Sequence, residues 1–280
     1  MIKPGRKDIR IGITEQSSKY QDLEKMSVRE LIEGINREDA HIHKAVKKAL
    51  PQIEKLIEQI VLRMRKGGRV FYIGSGTSGR LGVLDASELP PTFGVPDNMV
   101  IGLISGGDKA LRKSVEKAED DPERAWVELK PFTPTDLDTV IGIAASGTTP
   151  YVVGGLERAS KEGLLTGCIT CNPASPVAKA AEIAVEAVVG PEFLTGSTRM
   201  KAGTAQKMIL NMITTSLMIK LGKVKGNKMV NMQLTNNKLI RRGIRIIMEE
   251  LPLDAEDALD LLLKHRSVRL AIENWRRENS

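Results

Sequence analysis

Five short apolar runs, at about 69–74, 99–104, 138–144, 164–170 and 183–188, are separated from one another by helical or loop segments. Strands that alternate with helices join through crossovers, so they pair in parallel and carry helices on both faces of the sheet. The expected fold is therefore α/β: a three-layer α-β-α sandwich on a five-stranded parallel sheet. In open parallel sheets, ligands sit beyond the carboxyl ends of the strands. That rule selects three loops here, at 74–79, 105–108 and 145–150.

The first loop, Gly74-Ser-Gly-Thr-Ser-Gly79, holds three glycines and three hydroxyls between an apolar run and a helical pattern. Glycine lets the backbone approach an anion closely, and the N–H groups at a helix start supply positive potential. Ser75, Thr77 and Ser78 are thus candidates for gripping a phosphate. The third loop, Ala145-Ser-Gly-Thr-Thr-Pro150, repeats this chemistry and adds Ser146, Gly147 and Thr149. The plainer alternative is that these hydroxyls only cap helices. Two such loops at the same end of one sheet favour a binding role.

Gly74-x-Gly76-x-x-Gly79 also matches the dinucleotide fingerprint in form. That fingerprint needs an acid about 20 residues further on, at the end of the second strand. Here that strand ends in Ser105-Gly106-Gly107, and Asp97 precedes it. The lysine of a P-loop is missing as well. A sugar or phosphate grip fits better than a nucleotide cofactor.

A catalytic acid or base must come from Asp85, Glu88, Glu116, Glu119, Asp120 or Asp121. Glu88 stands against Pro90-Pro91, where the chain cannot extend a helix freely and its geometry is stiff. For the stretch from about Asp108 to Asp120, a helix of 100° per residue puts Leu111, Val115 and Ala118 on one face. Glu119 falls at the border of that face, partly desolvated as a general base requires, and Glu116 points further toward solvent. An ordinary exposed helix-end acid is the competing reading for Glu119.

Around this centre the chain is helical. Ser27-Val-Arg-Glu30 has the form of a capping box, and helices are expected from there, at about 38–50 and at 51–66. A long methionine-rich helix is expected at about 202–221, another from Asn236 to about 249, and two short ones after Leu251. The division expected is an N-terminal segment with helices over 1–50, the sheet domain over 51–225 and a small helical module over 226–280. Residues 1 to about 20 are polar and expected to be weakly held.

The 280 residues are 41% hydrophobic and carry a formal charge of +7, with only 3% aromatics. Basic residues are interspersed with acids and stacking surfaces are scarce, which argues against nucleic acid. No run approaches a membrane span, and the N-terminus lacks the apolar stretch of a signal peptide, so a cytoplasmic location without membrane contact is expected. Cys168 and Cys171 form a C-x-x-C inside a strand-like run, where buried small residues are expected rather than a redox pair. His41, His43 and His265 show no ligand spacing, so no metal is expected.

The run Gly74 to Gly94, with Ala144-Ala-Ser-Gly-Thr-Thr-Pro-Tyr151, Cys171-Asn-Pro173 and Thr195-Gly-Ser-Thr-Arg-Met-Lys-Ala-Gly-Thr-Ala-Gln-Lys207, resembles the N-acetylmuramic acid 6-phosphate etherases, a branch of the sugar isomerase (SIS) domain proteins. The resemblance covers about residues 20 to 245. It implies a SIS fold, a homodimer, a sugar-phosphate substrate and no cofactor. It implies cleavage of the lactyl ether to N-acetylglucosamine 6-phosphate and D-lactate during cell-wall recycling. In that family the glutamate of Asp85-Ala-Ser-Glu-Leu-Pro-Pro91 is the proton donor, which lands on Glu88. The second glutamate lies in Glu116-Lys-Ala-Glu-Asp120 and lands on Glu119. Leu89 stands where the family commonly has cysteine, and the tail is shorter than the family's. Two other functions share parts of the signature: a non-catalytic sugar-phosphate-binding regulator and an aldose–ketose isomerase. The Asp-Ala-Ser-Glu-Leu-Pro-Pro segment favours the etherase.

Overall fold

A computed structural model describes residues 12–115 and 117–279. Three helices come first: α1 (Val28–Asp39), α2 (Ile42–Lys48) and α3 (Leu50–Met64). Ser27 begins α1 with the full capping box, its hydroxyl accepting from Glu30 N while the Glu30 carboxylate accepts from Ser27 N. The expected helix at 38–50 is broken instead between α1 and α2. The alternating part follows as β1 (Val70–Gly74), α4 (Gly76–Ser87), α5 (Leu89–Phe93), β2 (Val100–Ile104), α6 (Lys109–Arg112), α7 (Arg124–Leu129), β3 (Thr139–Ala144), α8 (Pro150–Lys161), β4 (Leu165–Thr170), α9 (Pro176–Ala180) and β5 (Ile183–Glu186). Then come α10 (Lys201–Lys220), α11 (Asn237–Glu250), α12 (Ala255–His265) and α13 (Val268–Glu278).

The strands are all parallel, in the order β2-β1-β3-β4-β5. Side chains leave a strand alternately to its two faces, and the two cores divide accordingly. Tyr72, Ile141, Ile143 and Ile169 point to the face covered by α3, α4 and α10. Phe71, Ile73, Val140 and Cys168 point to the face covered by α7, α8 and α9. Cys171 packs with the first core and Cys168 with the second, and burial pushes both thiols up to about 12. A third core, from Val230 to Ile272, belongs to α11, α12 and α13.

The helix after β1 lies unusually close to the sheet. A Cβ on Gly79 would stand 2.7 Å from Gly74 O, and one on Gly102 would stand 2.6 Å from Val83 Cα. The glycines at 74 and 79 thus serve the packing of strand against helix. Gly76 also needs its left-handed φ of 52°.

Residues 12–20, expected to be weakly held, are tied into the domain. Thr14 is buried, and its hydroxyl accepts from Asn172 Nδ2 at 2.8 Å. Ser18 Oγ donates to Phe193 O at 2.6 Å. Polar residues are held here because their hydrogen-bonding groups meet partners in loops distant along the chain, which local composition does not show. Residues 1–11 lie outside the described residues.

Lys201, at the start of α10, is 2% exposed and donates to Glu38 Oε2 at 2.5 Å, anchoring α1. The buried Glu192 carboxylate caps the same helix start, accepting from Lys201 N and Ala202 N at 2.9 Å each. Burial raises the Glu38 carboxyl, but the Lys201 bond and charge outweigh it and hold the group below its usual range. Lys201→Met should therefore lower stability by about 3–5 kcal/mol, because it removes the buried counter-charge and leaves Glu38 only the exposed Lys19 at 3.8 Å. Urea unfolding measures this, and a loss below about 1 kcal/mol would show that the pair is not a stability element.

Candidate active site

The strand order reverses direction between β1 and β3, so their carboxyl ends open a crevice where no crossover covers it. The first loop and the start of α4 lie on one side of it, and the loop before α8 lies on the other. Beside the first loop is a cleft of ≈ 520 Å³ lined by Ser75, Gly76, Arg80, Ser105, Lys117 and Glu119. Beside the third loop is one of ≈ 330 Å³, lined among others by Ser146, Thr148, Asn172, Ser175 and Lys179.

Ser75 holds the N-cap position of α4, yet its hydroxyl makes no cap bond. It donates instead to Glu119 Oε2 at 2.7 Å and accepts from Ser105 Oγ at 2.8 Å. Thr149 is likewise at the N-cap of α8 without a side-chain cap bond. Mere helix capping therefore does not account for either hydroxyl. Ser146 and Thr148 bond each other at 3.0 Å, and Gly147 is buried with a φ of 71°. A Cβ on Gly147 would meet Ser175 Oγ at 2.2 Å, so only glycine lets this loop lie against the next one. Thr77 is half-buried, its methyl 3.3 Å from a Cβ built on Gly203 of α10. Ser78 is turned away from both clefts: it is buried and donates to Gln206 Oε1 at 2.9 Å.

The route by which Glu119 reaches the cleft differs from the helical reading. α6 ends at Arg112, Lys113 is extended, and Lys117 takes a left-handed φ of 63° before a 3-10 turn at Ala118–Asp120. A helix continuing past Arg112 would use the carbonyls of Ala110 and Leu111 for the N–H groups four residues on. Arg80 takes those carbonyls, with Nη2 on Ala110 O at 2.7 Å and Nε on Leu111 O at 3.0 Å. The face argument for Glu119 therefore does not hold, and its position comes from tertiary contacts. Glu116, the other member of that comparison, lies outside the described residues. The turn packs on α8, where Gly154 is essential: a Cβ there would stand 2.1 Å from Pro122 O.

Ser105 and Arg80 are not among the sequence candidates, and Asn172 enters only within the Cys171-Asn-Pro173 motif. Ser105 sits in the second strand-end loop, 105–108, so the strand-end rule pointed near it. Asn172 donates to both Ala145 O and Ser146 O at 3.1 Å and so sets the third loop. The Arg80 bonds, by contrast, leave no local trace.

Glu88 is not brought to this cleft. It is exposed at the junction of α4 and α5, and α4 is 12 residues long, so it lies about 18 Å along the helix axis from Gly76. It lines a separate cavity of ≈ 240 Å³ between α4 and α10, with Asp85, Lys207 and Asn211. Asp85 is buried there, accepting from Asn211 Nδ2 at 2.9 Å, Thr214 Oγ1 at 3.2 Å and Tyr72 OH at 3.3 Å. Burial pushes its carboxyl above the usual range, against the lowering by those hydrogen bonds. Among the described residues, no group of three or more His, Cys, Asp or Glu is placed to hold a metal ion. No helix there is long and apolar enough to cross a membrane.

Comparison with known proteins agrees with the fold and names the relatives. Residues 52–160 match the model of the glucokinase regulatory protein N-terminal SIS domain, and residues 132–216 match that of the SIS domain. A phosphoheptose isomerase from Francisella tularensis shares the fold, with a TM-score of 0.53 at 17% identity over 71% of this chain and 100% of that one. N-acetylmuramic acid 6-phosphate etherase of Bacteroides thetaiotaomicron is 64% identical over 96% of this chain and 98% of its own length. That of Vibrio campbellii is 50% identical over 90% of this chain and 82% of its own. At these identities and coverages the chain belongs to the N-acetylmuramic acid 6-phosphate etherase family.

Proposed function

We propose that this chain cleaves the D-lactyl ether of N-acetylmuramic acid 6-phosphate, releasing N-acetylglucosamine 6-phosphate and D-lactate, as a cytoplasmic step of cell-wall sugar recycling. The observation that carries the reading is the Glu119 carboxylate held by Ser75 in a strand-end cleft. It stands in a chain 64% identical to an etherase along nearly its whole length. Thr77, Ser146, Gly147 and Thr149 are the proposed phosphate and sugar grip; of the other two candidates, Ser75 gives its proton to Glu119 and Ser78 supports α4 from behind through Gln206. The domain that bears them runs over about 51–225.

The chemistry follows from the substrate. In the open-chain sugar, the C2 hydrogen is acidic because it lies beside the C1 aldehyde. Glu119 as carboxylate takes that proton to leave an enolate, whose electron pair then forms the C2–C3 double bond as the C3–O bond breaks. Glu88 as carboxylic acid protonates the departing lactyl oxygen. Water then adds at C3, giving its proton to Glu88, and Glu119 returns a proton to C2. Elimination and hydration together are redox-neutral, and each proton has a named donor and acceptor.

The two carboxylates lie too far apart in one chain to serve one sugar, since a general acid must come within hydrogen-bond reach of its proton's target. We therefore propose a homodimer in which Glu88 comes from a second copy. The outer face of α4 beside Glu88 carries Leu84, 52% exposed, which fits an apolar contact there. Turnover of N-acetylmuramic acid 6-phosphate in H₂¹⁸O tests the reaction: D-lactate should appear with ¹⁸O in the sugar product. Binding of the sugar phosphate without lactate would instead favour the regulator reading, for which the match over residues 52–160 is the supporting observation.

A further inference from the structure

The geometry points to Ser105 as a positioning residue for the base: its hydroxyl sets the direction of the Ser75 hydroxyl, and through it the place of the Glu119 carboxylate. This rests on the reading that Glu119 removes the C2 proton. Three oxygens form a chain, Ser105 Oγ to Ser75 Oγ at 2.8 Å and Ser75 Oγ to Glu119 Oε2 at 2.7 Å. An ionised carboxylate has no proton to give, so Ser75 must donate to it. Ser75 has one proton, and its oxygen is left to accept from Ser105. The direction of the whole chain is therefore set from its carboxylate end, and Ser105 is the group that keeps the Ser75 proton from turning elsewhere.

The two ends of the chain are held very differently. Ser105 is 4% exposed, and its N–H donates to Gly74 O at 2.9 Å, continuing the pairing of β2 with β1 by one residue. Glu119 is exposed on a single 3-10 turn between α6 and α7. The backbone of that segment is located by Arg80 before the turn and by Gly154 after it. Neither touches the carboxylate. Within the described residues, the contact that fixes the carboxylate itself is Ser75, and Ser105 ties Ser75 to the sheet. With Oε2 occupied in this way, Oε1 is the oxygen left to meet the C2 hydrogen. A loose Ser75 would let the carboxylate rotate and lose that aim, which lowers the rate of proton removal more than it lowers binding.

A double-mutant cycle in the full-length protein tests this, with N-acetylmuramic acid 6-phosphate as substrate and Ser105→Ala, Ser75→Ala and their combination as variants. In the otherwise native protein, Ser105→Ala should lower kcat about tenfold and change KM less than about twofold. In the Ser75→Ala background the same substitution should change kcat less than about twofold, because the relay is already cut. Ser105→Thr, which keeps the hydroxyl, should recover most of the lost kcat. Equal losses in both backgrounds, or a loss carried by KM alone, would overturn the role of Ser105. Native protein that releases no lactate would overturn the etherase reading and this inference with it, whereas native turnover with additive losses would sink the inference alone.

Discussion

Glu119→Gln should reduce lactate release by about 10³-fold or more while the protein stays folded, since removing a general base costs the proton transfer itself. Glutamine has the shape of glutamate, and its amide oxygen can still accept from Ser75, so the turn and the cleft should persist. What it cannot do is take the C2 proton. Proton NMR in D₂O separates the steps: native protein should exchange deuterium into C2, and Glu119→Gln should not. Glu88→Gln should behave differently, because it removes the acid that acts on the leaving lactyl oxygen. It should retain exchange at C2 while lactate release falls. Activity of Glu119→Gln within about tenfold of native would remove Glu119 from the role of base.

Mixing the two inactive variants should restore activity. In a twofold-symmetric dimer, if Glu88 of one copy serves the cleft of the other, the reverse is also true. A mixed dimer of Glu88→Gln with Glu119→Gln then contains one site with both native carboxylates and one site with neither. Random subunit exchange makes half the dimers mixed, so the recovered rate should approach about a quarter of native. The measurement is lactate release after the variants are co-refolded or exchanged, against each variant alone. If both carboxylates acted within one chain, every site in the mixture would lack one of them, and nothing would be recovered. The spacing along α4, about 18 Å from Gly76 to Glu88, is the physical reason to expect recovery.

The stretch 108–120 has a helical period that tertiary contacts override. Leu111, Val115 and Ala118 do recur at helical spacing, but periodicity counts only what a residue offers its near neighbours. Arg80, 30 residues earlier, claims the carbonyls that would have continued the helix. Val115 instead packs against Gly106, where a Cβ would meet it at 2.7 Å. The glycines at 74, 76 and 79 carry a similar lesson. Their spacing matches a nucleotide loop only in form: two of them let backbone approach backbone and the third takes a left-handed turn.

Five parallel strands, the long helix of residues 201–220 and the hydroxyl-rich loops were legible from sequence, because period and turn chemistry are local properties of the chain. The order β2-β1-β3-β4-β5, and with it the crevice between β1 and β3, depends on which strands pair across long separations. Tertiary structure alone also decided that Ser105 and Ser75 meet Glu119 and that Ser78 faces α10. These are contacts between residues tens of positions apart, set by the packing of layers rather than by the preferences of any one segment.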